Sequence, residues 1–217
     1  MAAQAAEWEA AADGRAVFLD CYARMTGAVQ QADEAGRFDD PAWVAALLDR
    51  FAEYYFASID GGAGGVDVPE PWVVAHAAAV GHDASPLQLL LAGVNAHINY
   101  DLVLTLVDLL EPEWVGLDDV GRDRRRTDYD RINEVIAETA DLVQDLVLER
   151  RSPWLESLDR GLGRWDERAA VRLLSGWRSR VWRHAMDVMA ETGPSARAAR
   201  IGEIERQCAR RGRWLLV

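Results

Sequence analysis

Apolar residues recur along nearly the whole chain at steps of three and four, and a period-two alternation never persists long enough to predict a strand. Val17, Phe18, Cys21, Tyr22, Met25 and Val29 make one such helical stripe. Asp39-Asp40-Pro41 offers a cap and a first-turn proline to a second helix. Its stripe of Val44, Leu47, Leu48, Phe51, Tyr55 and Ile59 carries it to about Asp60. Gly61, Gly62, Gly64 and Gly65 predict a break and a flexible loop there. After Pro69 and Pro71, the residues Trp72, Val73, His76 and Val80 suit a short helix ending near Gly81.

Ser85-Pro86 repeats the cap-plus-proline start, and the helix it opens should run to Leu110, before Pro112. A long loop is expected from about Glu113 to Arg126. Thr127 with Asp130 then resembles a capping box ahead of a stripe of Ile132, Val135, Ile136, Leu142, Val143 and Leu146. Ser152-Pro153 predicts another short helix. A long one comes next, from about Asp166 to Glu191, with Leu173, Leu174, Trp177, Val181, Ala185 and Val188 on one face. Gly193-Pro194 ends it, and a last Arg-rich helix reaches about Arg211. The expected fold is an all-α bundle of about seven or eight helices around a buried central helix at 86–110. One domain spans 1–217, with 1–12 expected outside the ordered bundle.

The helix from Pro86 to Leu110 has no polar face. Leu87, Leu90, Val94, Leu104 and Val107 lie around one side, and Leu91, Ile98, Leu102, Leu106 and Leu109 around the other. A helix apolar on all sides is normally surrounded by other helices, so its few polar groups stand out. Asn95 and Asn99 are four apart and share one side; His97 and Asp101 are four apart and share another. A buried polar group without a partner costs about 1–3 kcal/mol, and an unpaired charge more. Four such groups within seven residues mark a candidate site.

Composition narrows the setting. The net charge is −12 and is uneven: residues 1–121 hold four Arg against 20 acids, and residues 122–217 hold 20 Arg against 16 acids, with no Lys anywhere. The acidic first half argues against nucleic acid as a partner. The runs Arg124–Arg126 and Arg210–Arg213 read as surface features that complement it. The most apolar stretch, Leu87 to Leu110, is interrupted by Asn95, His97, Asn99, Asp101 and Asp108, which favours a core helix over a membrane span. The Ala-rich, acidic start has no secretory pattern, so a cytoplasmic location is expected. Cys21 and Cys208 stand in no metal or redox spacing and read as reduced core thiols. There is neither a Gly-x-Ser-x-Gly elbow nor a P-loop.

The run Leu89-Leu90-Leu91-Ala92-Gly93-Val94-Asn95-Ala96-His97-Ile98-Asn99-Tyr100-Asp101-Leu102 resembles the hallmark of a bacterial family called domain of unknown function 5995. Weaker features agree: Tyr22 in the first stripe, the Phe51–Phe56 segment, Trp72, the start Asp128-Tyr129-Asp130-Arg131-Ile132-Asn133, and the Trp182–Ala185 segment. The resemblance implies an all-α fold and a role for Asn95, His97, Asn99 and Asp101.

The expected function is an enzyme acting on a small organic molecule without a redox cofactor, of the cyclase, isomerase or lyase type. A tailoring step in secondary metabolism would suit it. His97 would be the general acid or base and Asp101 would orient it, while Asn95 and Asn99 would bind a substrate oxygen. Tyr100, Trp72, Asp128, Asn133 and Trp182 are candidate pocket residues. Two alternatives stand. One is a hydrolase with a divalent metal on His97, Asp101 and Asp128, or with His76 or His184 as third ligand. The other is a non-catalytic binding or structural protein. Self-association into a homo-oligomer is left open.

Overall fold

Ser85 starts the helix on which the others pack. Its hydroxyl accepts the Gln88 backbone N–H, and the Gln88 side chain accepts the Ser85 N–H at 2.9 Å, a reciprocal capping box with Pro86 in the first turn. A computed structural model describes residues 1–64, 67–81, 83–149 and 167–217. Among them it places α1 (Ala2–Ala10), α2 (Arg15–Glu34), α3 (Pro41–Gly64), α4 (Glu70–Val80) and α5 (Pro86–Ala96). Next along the chain are α6 (Leu102–Trp114), α7 (Asp119–Glu149), α8 (Glu167–Ala190) and α9 (Pro194–Leu215). Between α5 and α6, residues His97–Asp101 are wound as a π-helix, so the three make one continuous rod. The architecture is the all-α bundle expected, with no strand among the described residues.

The rod runs through the middle. Helices α2, α4 and α9 pack on α5; α3 and α8 pack on α6; α3, α8 and α9 reach the π segment; α7 lies against α2 and α8. From Ala92 to Val107 the rod is largely enclosed, and Ala92, Ala96, Leu102, Val103, Leu106 and Leu110 are buried in one cluster with Leu19, Val44, Trp72, Ile132 and Val181. Leu87, Leu89, Leu90 and Leu91 are only half-buried, so the first two turns form part of the surface. By length and composition the rod could cross a membrane, yet 72% of its most apolar 18-residue stretch is buried inside the protein.

Several boundaries differ from the sequence expectation. Helix α3 continues through Gly61 and Gly62 to Gly64. Glycine costs about 1 kcal/mol in a helix without forbidding one. The rod passes Leu110 and carries Pro112 to Trp114; the proline removes the single bond its own N–H would have made, and only two residues of helix lie beyond it. The expected loop at 113–126 is only residues 115–118, and Thr127 lies inside α7 rather than at its start. The real start is Asp118, whose Oδ1 accepts the Gly121 N–H at 2.8 Å. This first stretch of α7 has no apolar stripe and is held by arginines. Arg122 donates to the Trp114 carbonyl at 3.1 Å, and Arg125 pairs with Glu113 at 2.7 Å and Asp40 at 2.6 Å. At the N-terminus, residues 2–10 form α1, with Ala5 buried and Trp8 packed on the core. Helix α9 runs four residues past Arg211. The helix expected at Ser152-Pro153 and the loop residue His82 lie outside the described residues.

Charge complementarity joins the two halves. Arg131 pairs with Asp39 at 2.7 Å, Arg197 with Glu111 at 2.5 Å and Arg213 with Glu70 at 3.0 Å. These pairs are largely exposed, so solvent screens them and each is weak.

Gly93 sets how closely α2 approaches the rod. A Cβ there would lie 2.6–2.9 Å from three atoms of the buried Phe18 side chain. Gly93→Ala is therefore expected to destabilise the fold by about 1–3 kcal/mol through overpacking, measured by urea denaturation. An unchanged midpoint would show that Phe18 can move aside freely.

Candidate functional site

The π segment puts His97 and Asp101 on one side of the rod. His97 Nδ1 lies 2.9 Å from Asp101 Oδ2, and the same oxygen accepts Trp72 Nε1–H from α4 at 2.8 Å. The Asp101 carbonyl accepts the Thr105 hydroxyl at 2.9 Å. The pair is enclosed, at 2% exposure for His97 and 1% for Asp101. An aromatic cage surrounds the imidazole. Phe51 stacks flat on it with ring centres 3.5 Å apart, and Tyr22 stands edge-on at 4.4 Å. Phe18, Tyr55 and Trp72 complete the cage at 5.6–6.0 Å.

Burial governs the protonation of both groups. It holds the His97 imidazole neutral well below its ordinary value of 6.5, with the Arg178 charge adding to the effect. It pushes the Asp101 carboxyl well above 3.8, against the opposing Trp72 hydrogen bond. A charge on either group is disfavoured in a medium of low polarity. His97 Nε2 is buried and has no hydrogen-bond partner. With the carboxyl protonated and donating to Nδ1, Nε2 carries the proton and is a donor. Once the pair has lost a proton, Nδ1–H donates to the carboxylate and Nε2 offers a lone pair. One atom can therefore give or take a proton according to the state of the bond behind it.

The polar cluster is divided. Asn95 and Asn99 face α9, away from the imidazole. Asn95 Nδ2 donates to the Cys208 carbonyl at 3.0 Å, and its Oδ1 accepts from Asn99 Nδ2 at 3.3 Å and from Arg211 at 3.5 Å. The Cys208 thiol donates back to the Asn95 carbonyl at 3.3 Å, and burial pushes its pKa up to about 12. This clasp fixes α9 to the rod. Cys21 and Cys208 are both free thiols. Tyr100 is buried near the Glu205 carboxylate, and burial raises its pKa.

Asp128 does not join His97. It is fully buried at the start of α3, where its two oxygens accept the Asp39 and Asp40 backbone N–H groups, both at 2.8 Å. Its work is to cap α3 from α7. Among the described residues no three His, Cys, Asp or Glu side chains gather as a metal set. Asn133 accepts from the buried Arg178, and Trp182 packs on Tyr129 at 5.1 Å and Trp114 at 6.3 Å. His76 sits behind the site: it stacks on Trp72 at 5.2 Å, shares a hydrogen bond of 3.1 Å with Ser58, and burial lowers its pKa to about 4. A cavity of about 20 Å³ beside Trp72 and His76 has room for one water. His184 lies apart, in an outer groove with Arg180 and Arg183.

The sequence reading missed the cage and Arg178. The cage was detectable in part: Phe18–Tyr22 and Phe51–Tyr55 are aromatic pairs four apart on stripes expected to face the core. Arg178 interrupts an apolar stripe between Trp177 and Val181, much as His97 does in the rod.

These features define an all-α protein with a caged histidine–carboxylate dyad on a π turn. The chain belongs to the Family of unknown function (DUF5995), whose model matches residues 1–217. No curated protein and no solved structure matches the chain.

Asp128→Ala leaves the two N–H groups before α3 without acceptors, and should cost about 1–3 kcal/mol for each. Asp128→Asn, keeping one acceptor, should cost less in the same denaturation experiment. The dyad makes stability depend on pH. Because His97 stays neutral when folded, its contribution to stability is lost as pH falls below 6.5, where the unfolded chain takes up the proton. Asp101 acts oppositely, losing its contribution as pH rises from 3.8 towards its raised folded value. Where the windows overlap, below 6.5, the two cancel. Asp101→Asn removes one side of that balance. Its stability should fall below pH 6.5 more steeply than the wild type's, by up to about 1.4 kcal/mol per pH unit. Parallel curves for the two proteins would refute the assignment.

Proposed function

We propose that the protein is an enzyme that moves a proton on a small organic molecule, with His97 Nε2 as the transferring atom and Asp101 as the group that orients and discharges the imidazole. The observation that carries this reading is the partnerless, buried Nε2 at the end of a fully bonded Trp72–Asp101–His97 chain. A purely structural histidine would be expected to satisfy both nitrogens, since an unmade bond in a dry core costs about 1–3 kcal/mol. Burial also supports proton transfer: the neutral pair it favours presents Nε2–H as a donor, and once the pair has lost a proton Nε2 accepts one while the Nδ1 proton passes to Asp101. A proton-shift isomerisation needs only such transfers, removal at one carbon and return at another, while elimination and cyclisation use one to start the expulsion of a leaving group or the closing of a ring bond.

The chemistry rests on side chains alone: His97 exchanges the proton, Trp72 and Asp101 hold the ring in plane, and Phe51 with Tyr22 supplies apolar walls for an organic substrate. Asn95 and Asn99 are occupied in the α9 clasp and are not assigned substrate contacts.

The test compares purified wild type, His97→Gln and Asp101→Asn on a bacterial small-molecule extract, with untargeted mass spectrometry before and after incubation. A metabolite consumed by wild type should turn over about 10²–10⁴-fold more slowly with His97→Gln, and be less impaired with Asp101→Asn. Circular dichroism should show both variants folded. Consumption at equal rates by wild type and His97→Gln would end the acid–base reading.

A further inference from the structure

Helix α8 carries a further buried ionisable group, held against α7. Arg178 is only 3% exposed, beside the buried Trp177 and Val181. Its Nε donates to Asn133 Oδ1, and its guanidinium lies 5.0 Å from the Tyr129 ring centre. The Tyr129 hydroxyl donates to the Arg178 carbonyl at 2.8 Å, fixing this turn of α8 against α7. Among the described residues no carboxylate pairs with the guanidinium. The nearest acid in its hydrogen-bond chain is Asp130, reached only through Asn133 Nδ2 at 3.4 Å and already bonded to Arg126 at 2.8 Å. Arg178 Nη2 is buried with no partner.

A guanidinium cannot shed its charge as a histidine can, so an unpaired one in a core is costly. The region that holds it also holds the unpartnered His97 Nε2: α8 packs on the π segment, and the Arg178 charge is felt at His97. We propose that Arg178 is the anchor for a small organic carboxylate, whose oxygen takes the free Nη2–H while the carbon skeleton lies towards His97 and the aromatic cage. The inference rests on the acid–base reading and names its substrate class. One buried cation balances a monoanion, whereas a phosphate dianion would leave a charge over. Guanidinium and carboxylate also match in planar geometry. Because both groups are closed off from solvent, the carboxylate enters by parting α8 from the π segment.

The experiment is thermal unfolding of the full chain at fixed ionic strength with acetate, benzoate, 3-phenylpropionate or inorganic phosphate. At least one carboxylate should raise Tm saturably, by about 5–10 °C at a hundred times its Kd, and phosphate should not. Hydrogen exchange should slow in residues 176–190 in its presence. Arg178→Met should abolish the shift without lowering the ligand-free Tm, since a buried charge is replaced by an apolar chain of similar length. Arg178→Lys, which keeps the charge, should retain part of it. No shift with any carboxylate, a shift with phosphate instead, or a carboxylate shift that survives in Arg178→Met would each overturn the assignment. The two readings fail separately. Arg178-dependent binding with no His97-dependent turnover sinks only the acid–base reading. His97-dependent turnover of uncharged molecules, unaffected in Arg178→Met, sinks only the carboxylate anchor.

Discussion

The hydrogen bond between His97 and Asp101 is the constraint around which the bundle is arranged. Two groups that would each lose solvation in a core are placed one turn apart on its most enclosed helix. Each surrounding helix then has a defined obligation. Helix α4 brings Trp72 to share Asp101 Oδ2, and α2 and α3 bring the rings that exclude water. Helix α8 packs on the π segment and brings Arg178, whose charge is felt at His97. Burial keeps the dyad from charging, and the dyad's bonds make that burial tolerable, so neither is independent of the other.

The π turn is the second organising feature. A widened turn with i→i+5 bonding changes the angular relation between the helix before it and the helix after it. Ahead of the turn, Asn95 clasps Cys208 and Arg211 on α9; within it, His97 and Asp101 enter the aromatic cage. Polar residues that look like one cluster along the chain therefore do two jobs, anchoring on one face and carrying the reactive nitrogen on the other. Asp128 separates from the site for a related reason: two backbone N–H groups ahead of Pro41 need acceptors, and its carboxylate meets that need 2.8 Å from each.

The charge asymmetry has a structural counterpart that is modest in energy and broad in extent. Arginines of α7 and α9 reach Asp39 and Asp40 just ahead of α3 and acids of α4 and α6, so surface pairs tie late helices to early ones. They also stabilise the first turns of α7, which has no apolar stripe to hold it. The unpaired Arg178 is conspicuous against this background, since among the described residues it is the cation placed where solvent cannot reach it.

Much of the fold was legible in the chain. Periodic apolar stripes, the Ser85-Pro86 start and the Gly193-Pro194 stop are local features, and local sterics and hydrogen bonding determine them. The dyad was legible for the same reason, because i and i+4 on a helix are neighbours whatever packs around it. Gly61 and Gly62 inside α3 and the polar beginning of α7 were misread because tertiary contacts override weak local propensity there. The aromatic cage, the diversion of Asn95 and Asp128 into structural bonds, and the stranding of Arg178 joined residues tens of positions apart. Only the tertiary structure decided those. The sequence by itself determined which groups would be expensive to bury; packing determined which of them found a partner, and the atoms left without one are where the chemistry is sought.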